Sequence, residues 1–244
     1  MKNIIIFILI TFLVVGCRKN VVSSDLVNNL TFSAKQVLAD GTSLVTITAV
    51  INSDADPATR TVLFTTSSGS FVGGTDSTIS KGATFENEKL IARVQLKAPL
   101  TPGSIVVKAK MVLPNEKRDF TVSDSIQAQP SLPSSLILSA SAFAVKINFG
   151  GEVTLQGQLL NASGNPVSLG TNVSFDDRYE NGAPVNGRFR AKQASSNSTS
   201  TVSAIYSPGA VAANQKIWIY CYVTTPPGVP TTVKDSVLIN TIPN

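Results

Sequence analysis

No histidine occurs anywhere in the 244 residues, so the side chain most often used as a general base near neutral pH, and the usual imidazole metal ligand, is missing. Ser-His-Asp and Cys-His catalysis are excluded with it. Acid-only chemistry would need two carboxylates converging on one substrate, as in glycosidases. The close pairs are Asp176-Asp177 and Glu86 with Glu88. Asp176 and Asp177 are adjacent on a predicted strand, where neighbouring side chains point to opposite faces, so they are not expected to act together. Glu86 and Glu88 share a face but flank Asn87 in a loop-like stretch, and read as solvated acids. Asp54 and Asp56, before Pro57, could begin a calcium site, yet no EF-hand or nonapeptide motif accompanies them. There is no P-loop and no dinucleotide fingerprint, and Gly73-Gly74 and Gly150-Gly151 read as turn glycines. The expectation is a protein that is not an enzyme and uses neither metal nor cofactor.

The remaining reactive groups are two thiols, Cys17 and Cys221. Cys17 follows one cation, Lys2, an apolar run from Ile4 to Val15, and Gly16. That run is short of the roughly 20 apolar residues of a transmembrane helix and suits the core of a signal peptide. Val14-Val15-Gly16-Cys17 resembles the lipobox of bacterial lipoproteins, with Val14 where that family usually carries leucine. The resemblance implies cleavage before Cys17, a diacylglyceryl thioether on its sulfur and acylation, as by palmitate, of its new amino group. Residues 1–16 are then a signal peptide and 17–29 a lipidated tether. Arg18, in place of the aspartate that retains some lipoproteins at the inner membrane, implies sorting to the outer membrane. Cys221 is left without a disulfide partner and is expected to be buried and inert, since neither Tyr220 nor Tyr222 would lower its pKa.

These groups must be held by strands. Hydrophobic residues make up 43% and charged residues only 14%, while Thr, Ser, Val, Ile, Gly and Pro dominate over helix formers, which reads as all-β. Loss of residues 1–16 would leave nineteen cations against 15 acids. The cations are scattered and not interleaved with aromatics, so no nucleic-acid partner is expected. The segment from Leu30 is echoed by the segment from Leu136: LTFSA and LILSA are offset by 106, VTITAVI and VTLQGQL by 108, TVSDSI and TVKDSV by 111. Val45, Ile47, Ala49 and Ile51 alternate with Thr46, Thr48 and Val50, as a half-buried strand requires. Leu90–Leu96 and Ile105–Met111 repeat the pattern, with turn residues such as Asp40-Gly41, Pro102-Gly103 and Pro208-Gly209 between runs. The expected plan is two tandem β-sandwiches, 30–127 and 136–244, joined by a proline-bearing linker, 128–135, that acts as an extended spacer and the first site of proteolysis.

LADGTSLVTITAVI, VLFTTSSGSF and PGSIVVKAKM resemble the bacterial Ig-like domains found in tandem in invasin and intimin-type surface proteins. The resemblance implies an Ig-like sandwich fold over most of residues 30–240, and stalk, adhesive or accessory roles. Asp-Ser followed by Thr, Ile or Val, at Ser77, Ser125 and Ser236, resembles a three-residue O-glycosylation signal of Bacteroidota. The sharpest candidate is the strand Ile217–Val223. An offset of 112 places Ile217, Ile219, Cys221 and Val223 where Ile105, Val107, Ala109 and Met111 face inward, which turns Trp218, Tyr220 and Tyr222 outward. A solvent-facing aromatic row suits stacking on sugar rings or docking a protein. The reading is a lipid-anchored cell-envelope protein, bound to the membrane through its N-terminal lipid, whose Ig-like modules serve adhesion, spacing or protein interaction. The alternative is an accessory glycan-binding lipoprotein of an outer-membrane uptake complex.

Overall fold

The computed structural model describes residues 26–53, 55, 60–111, 120–226 and 228–244. They form four sheets packed as two tandem sandwiches. In the first sandwich, one sheet runs β1 (Val27–Phe32), β3 (Leu44–Ile51), β8 (Lys89–Lys97), β5 (Ser70–Phe71), with β7 (Thr84–Glu86) also on β8. The facing sheet runs β2 (Gln36–Leu38), β10 (Thr121–Gln129), β9 (Gly103–Met111), β4 (Thr61–Thr66), β6 (Thr78–Gly82). In the second sandwich, β11 (Ser135–Ala140), β13 (Val153–Leu160), β16 (Thr201–Ser207) and β15 (Arg188–Gln193) face β12 (Ala144–Lys146), β18 (Val229–Ile242), β17 (Lys216–Thr225) and β14 (Val173–Tyr179).

Each core is made by the expected alternation. Val45, Ile47, Ala49 and Ile51 of β3 meet Ile105, Val107, Ala109 and Met111 of β9 in one cluster. Val153, Leu155 and Leu159 of β13 meet Ile217, Ile219, Cys221 and Val223 of β17 in the other. Because one face of each strand is buried, a slip of one residue would expose the whole apolar set, and this pins the register. Gly157 shows how tight the second core is: a β-carbon there would stand 2.8 Å from Val202 and 3.9 Å from the Cys221 sulfur.

Two local expectations change and one becomes more definite. Strand β1 begins at Val27, fully buried, inside the stretch expected as tether. The loop-like stretch at Glu86, Asn87 and Glu88 takes a definite form. Residues 87 and 88, with φ of 47° and 64°, make the two-residue turn of the β7–β8 hairpin, and Glu86 pairs with Arg93 at 2.7 Å. The linker is also no free spacer. Strand β10 runs on to Gln129, β11 starts at Ser135, and Ser131 between them is only 1% exposed. Its N–H donates to Ser168 Oγ at 2.8 Å, its hydroxyl donates to the Pro166 carbonyl at 3.0 Å, and it accepts from Asn161 Nδ2 at 3.0 Å. Ser168 Oγ in turn donates to the Ala39 carbonyl of the first sandwich at 2.9 Å, and Leu169 N donates to the Leu100 carbonyl at 3.0 Å. A buried polar group left unpaired is costly, so this joint holds only when every member meets its partner.

Two edges of the second sandwich, β11 and β15, are guarded by charge and bulge. Asp235 Oδ2 accepts from the Leu138 amide on the outer edge of β11 at 2.8 Å. Strand β15 carries Arg188, Arg190 and Lys192, and its ladder with β16 breaks between Arg190 and Gln193, where Ala191 has φ of 46°.

Candidate functional site

Strand β17 is hydrogen-bonded on both sides, antiparallel to β14 and to β18. Its alternation puts Ile217, Ile219 and Cys221 entirely in the core and leaves Trp218, Tyr220 and Tyr222 half-buried on the outer face. Register then builds a grid around the aromatics. Trp218 lies between Arg178 and Leu238, Tyr220 between Asp176 and Ser236, and Tyr222 between Ser174 and Lys234. The inward and outward faces are those given by the offset of 112.

The aromatics are partly covered by each other and by cations. Tyr220 and Tyr222 stack with centroids 5.8 Å apart and planes at 24°. Residues two apart on a strand are about 6.6 Å apart, so stacked rings at this distance stand up from the sheet and do not lie flat on it. Lys234 Nζ sits 6.0 Å from the Tyr220 ring centre and 5.8 Å from that of Tyr222. On the opposite flank Arg178 Nε donates to Asp176 Oδ2 at 2.8 Å, and Asp176 holds the guanidinium charged. Burial, and then the Asp176 charge, raise the Tyr222 phenol above its ordinary pKa, with Arg178 opposing. The hydroxyl is therefore protonated at neutral pH and can donate a hydrogen bond. The surface as a whole offers ring edges, phenol hydroxyls, an indole and two cations, one of them already neutralised.

The other candidate residues are dispersed. Asp176 faces out, whereas Asp177 is 4% exposed and faces in, so the two carboxylates share no site. Asp177 Oδ2 accepts from Tyr206 Oη and from the Gly187 amide, each at 2.8 Å. Burial first, and then the Asp177 charge, push the Tyr206 phenol up. A β-carbon on Gly187 would lie 2.5 Å from Asp177 and 2.6 Å from Tyr206, so only glycine closes this buried node, which positions β14 and offers no room for substrate. Sequence reading missed it because the three partners lie 10 to 29 residues apart. Cys221 is buried, and burial, with Asp235 adding to it, pushes its thiol up to about 12. Ser77 is exposed in a turn, Ser125 is exposed on β10, and Ser236 is half-buried beside Tyr220. The aspartates of two of those triplets have structural partners: Asp124 pairs with Lys35 at 2.5 Å and caps the Ser125 amide, and Asp235 caps the amides of Ser236 and Leu138. Among the described residues no three potential ligands gather as a metal site. Cys17, Asp54 and Asp56 lie outside the described residues.

No family model matches the chain, and no curated protein matches it. Solved structures do. The chain is similar to invasin, a bacterial integrin-binding protein, with a TM-score of 0.63 at 18% identity, over 88% of this chain and 39% of that one. It is also similar to the Yersinia pseudotuberculosis adhesin InvE, with a TM-score of 0.51 at 14% identity, over 93% of this chain and 61% of that one. The chain thus spans less than two thirds of either neighbour. At these identities the likeness fixes the fold: all-β, with tandem Ig-like sandwiches of the invasin type.

Proposed function

We propose that this protein is a non-enzymatic, lipid-anchored component of the bacterial cell envelope, held at the outer membrane through Cys17. Its two Ig-like domains, strands β1–β10 and β11–β18, act as an adhesion or spacer element that docks a protein partner on the outer face of β14, β17 and β18. The observation that carries the reading is the outward row of Trp218, Tyr220 and Tyr222, flanked by Arg178 and Lys234. Trp, Tyr and Arg are the side chains that dominate binding energy when they lie together at a protein interface. The fold shared with an adhesin and with an integrin-binding protein supports the same reading. The glycan-binding alternative also draws on the aromatic row, because sugar rings stack on aromatic faces. Tyr220 and Tyr222, however, spend their facing surfaces on each other, which favours the protein partner.

The test is adhesion of beads carrying the whole chain to arrays of immobilised proteins and of immobilised oligosaccharides. Trp218→Ala with Tyr220→Ala should abolish binding to protein while leaving the circular dichroism spectrum and melting curve intact. Undiminished binding by the folded double variant would remove this face from consideration. The anchor is tested by labelled palmitate, which should be incorporated by the natural chain and not by Cys17→Ala.

A further inference from the structure

Beyond the aromatic row, β17 and β18 part company. Tyr222 pairs with Lys234, but the next pair is Thr224 with Pro230, so β18 spends four residues where β17 spends two. Such a bulge bends the strand and breaks the ladder locally, and bulges recur beside functional sites. Here it opens a cavity of about 340 Å³ between the bulge and the joint. Its walls include Leu132 and Pro133 of the joint, Val223 and Pro226 of β17 and its turn, and Val233 of the bulge, with Asn172 at one side. The prolines fix φ, and the joint residue next to Leu132 is pinned by three hydrogen bonds, so the cavity is preformed. Leu132 is 72% exposed at its wall, an apolar side chain that burial in a complex would reward.

The cavity lies at the end of the strand that carries the aromatic row. Thr224, in its wall, follows Tyr222 on the outer face, Val223 and Val233 close it from the core side, and Lys234 is next to Val233 in sequence. The charge beside it is equally specific. Arg178 is neutralised by Asp176, whereas Lys234 takes part in none of the ion pairs of the described residues. A volume near the lower end of the range for small-ligand pockets suits one large side chain better than a whole ligand.

We infer that this cavity is a socket for one aromatic or aliphatic anchor side chain of a protein partner, and that an acidic residue adjoining that anchor pairs with Lys234. The inference rests on the protein-docking reading of the aromatic face and adds to it the chemistry of the partner: an apolar anchor followed or preceded by Asp or Glu, lying along β17 from the socket toward Trp218.

The probe is a displayed library of random twelve-residue peptides selected on the immobilised whole chain, with individual peptides then measured by fluorescence anisotropy. Selected peptides should share an apolar residue next to an acid. Their affinity should fall at least tenfold in Leu132→Asp and in Lys234→Glu, two exposed positions, with the circular dichroism spectrum of each variant checking that the fold is kept. It should also fall in Trp218→Ala. Peptides that lose affinity in Trp218→Ala but bind Leu132→Asp and Lys234→Glu undiminished would overturn the socket and leave the aromatic face standing. Peptides indifferent to all three variants would overturn both. Failure to enrich any peptide, with oligosaccharides bound through Trp218 instead, would overturn the socket in favour of the glycan alternative.

Discussion

The joint between the sandwiches yields a prediction whose size can be worked out. Ser168 Oγ accepts from the Ser131 amide at 2.8 Å and donates to the Ala39 carbonyl at 2.9 Å, so one hydroxyl links the connecting segment to the first sandwich. Ser168→Ala removes the hydroxyl and adds no bulk. It leaves a buried donor and a buried acceptor facing a methyl group, each costing about 1–3 kcal/mol when unsatisfied. Part of this is relieved by water entering the joint, so we expect a weakening of about 3 kcal/mol, or roughly a hundredfold in the equilibrium between closed and open joint. The assay is limited proteolysis under conditions where cleavage follows the open population. In the natural chain the 130–134 segment should resist cleavage, contrary to what its prolines and serines suggest from composition alone. In Ser168→Ala it should be cut roughly a hundredfold faster, giving fragments with unchanged cores by hydrogen exchange. A change of less than about threefold would mean that these hydrogen bonds do not hold the joint, and the reasoning would fail.

Gly157→Ala should lower stability by about 1–3 kcal/mol in urea denaturation, because its methyl group has no room against Val202; a neutral result would show that the second core can relax. Tyr206→Phe should cost about 1–3 kcal/mol by the same measurement, since the buried Asp177 carboxyl group would lose a hydrogen-bond partner. Burial alone would raise the Asp40 carboxyl, but hydrogen bonds from Ser43 and Thr42 together bring it below its ordinary value. Its contribution is therefore complete above the unfolded pKa of about 3.9 and lost as pH falls through the lower folded value; Asp40→Asn should flatten that acid limb in denaturation curves taken from pH 2 to 6. Cys221 should react with a thiol reagent only at the rate of unfolding, given its burial and its raised pKa, and rapid labelling of the native chain would contradict its place in the core.

What was legible in the sequence is what has a short period. The β3 and β9 alternations, the repeat offsets and the outward turn of Trp218 all follow from a period of two with one face buried, a pattern local to each strand. The stretch at Asn87-Glu88 read as loop-like, but its hairpin was not legible because neither residue is glycine, although both adopt the left-handed conformation that tight hairpins need. The joint was illegible for a different reason. Ser131, Asn161 and Ser168 are ordinary turn residues, and their partners lie 30 to 129 positions away, so nothing in their own neighbourhood marks them. The flanking of the aromatics by Arg178 and Lys234 likewise needs the register of two other strands. The proposed lipid anchor stands apart, since the lipobox pattern at Cys17 is read from sequence alone.

The guarded edges of the second sandwich bear on how densely such a protein could be displayed if the proposed anchor holds it at a surface. Molecules tethered side by side meet at effective concentrations far above those in solution, and any open strand would pair with its neighbour's and propagate. The β11 edge presents an amide already taken by Asp235, and the β15 edge presents like charges and a break in its ladder. Crowding would then bring copies close without knitting them into fibres. Loss of that carboxylate, in Asp235→Ala, would turn surface density itself into the trigger for self-association.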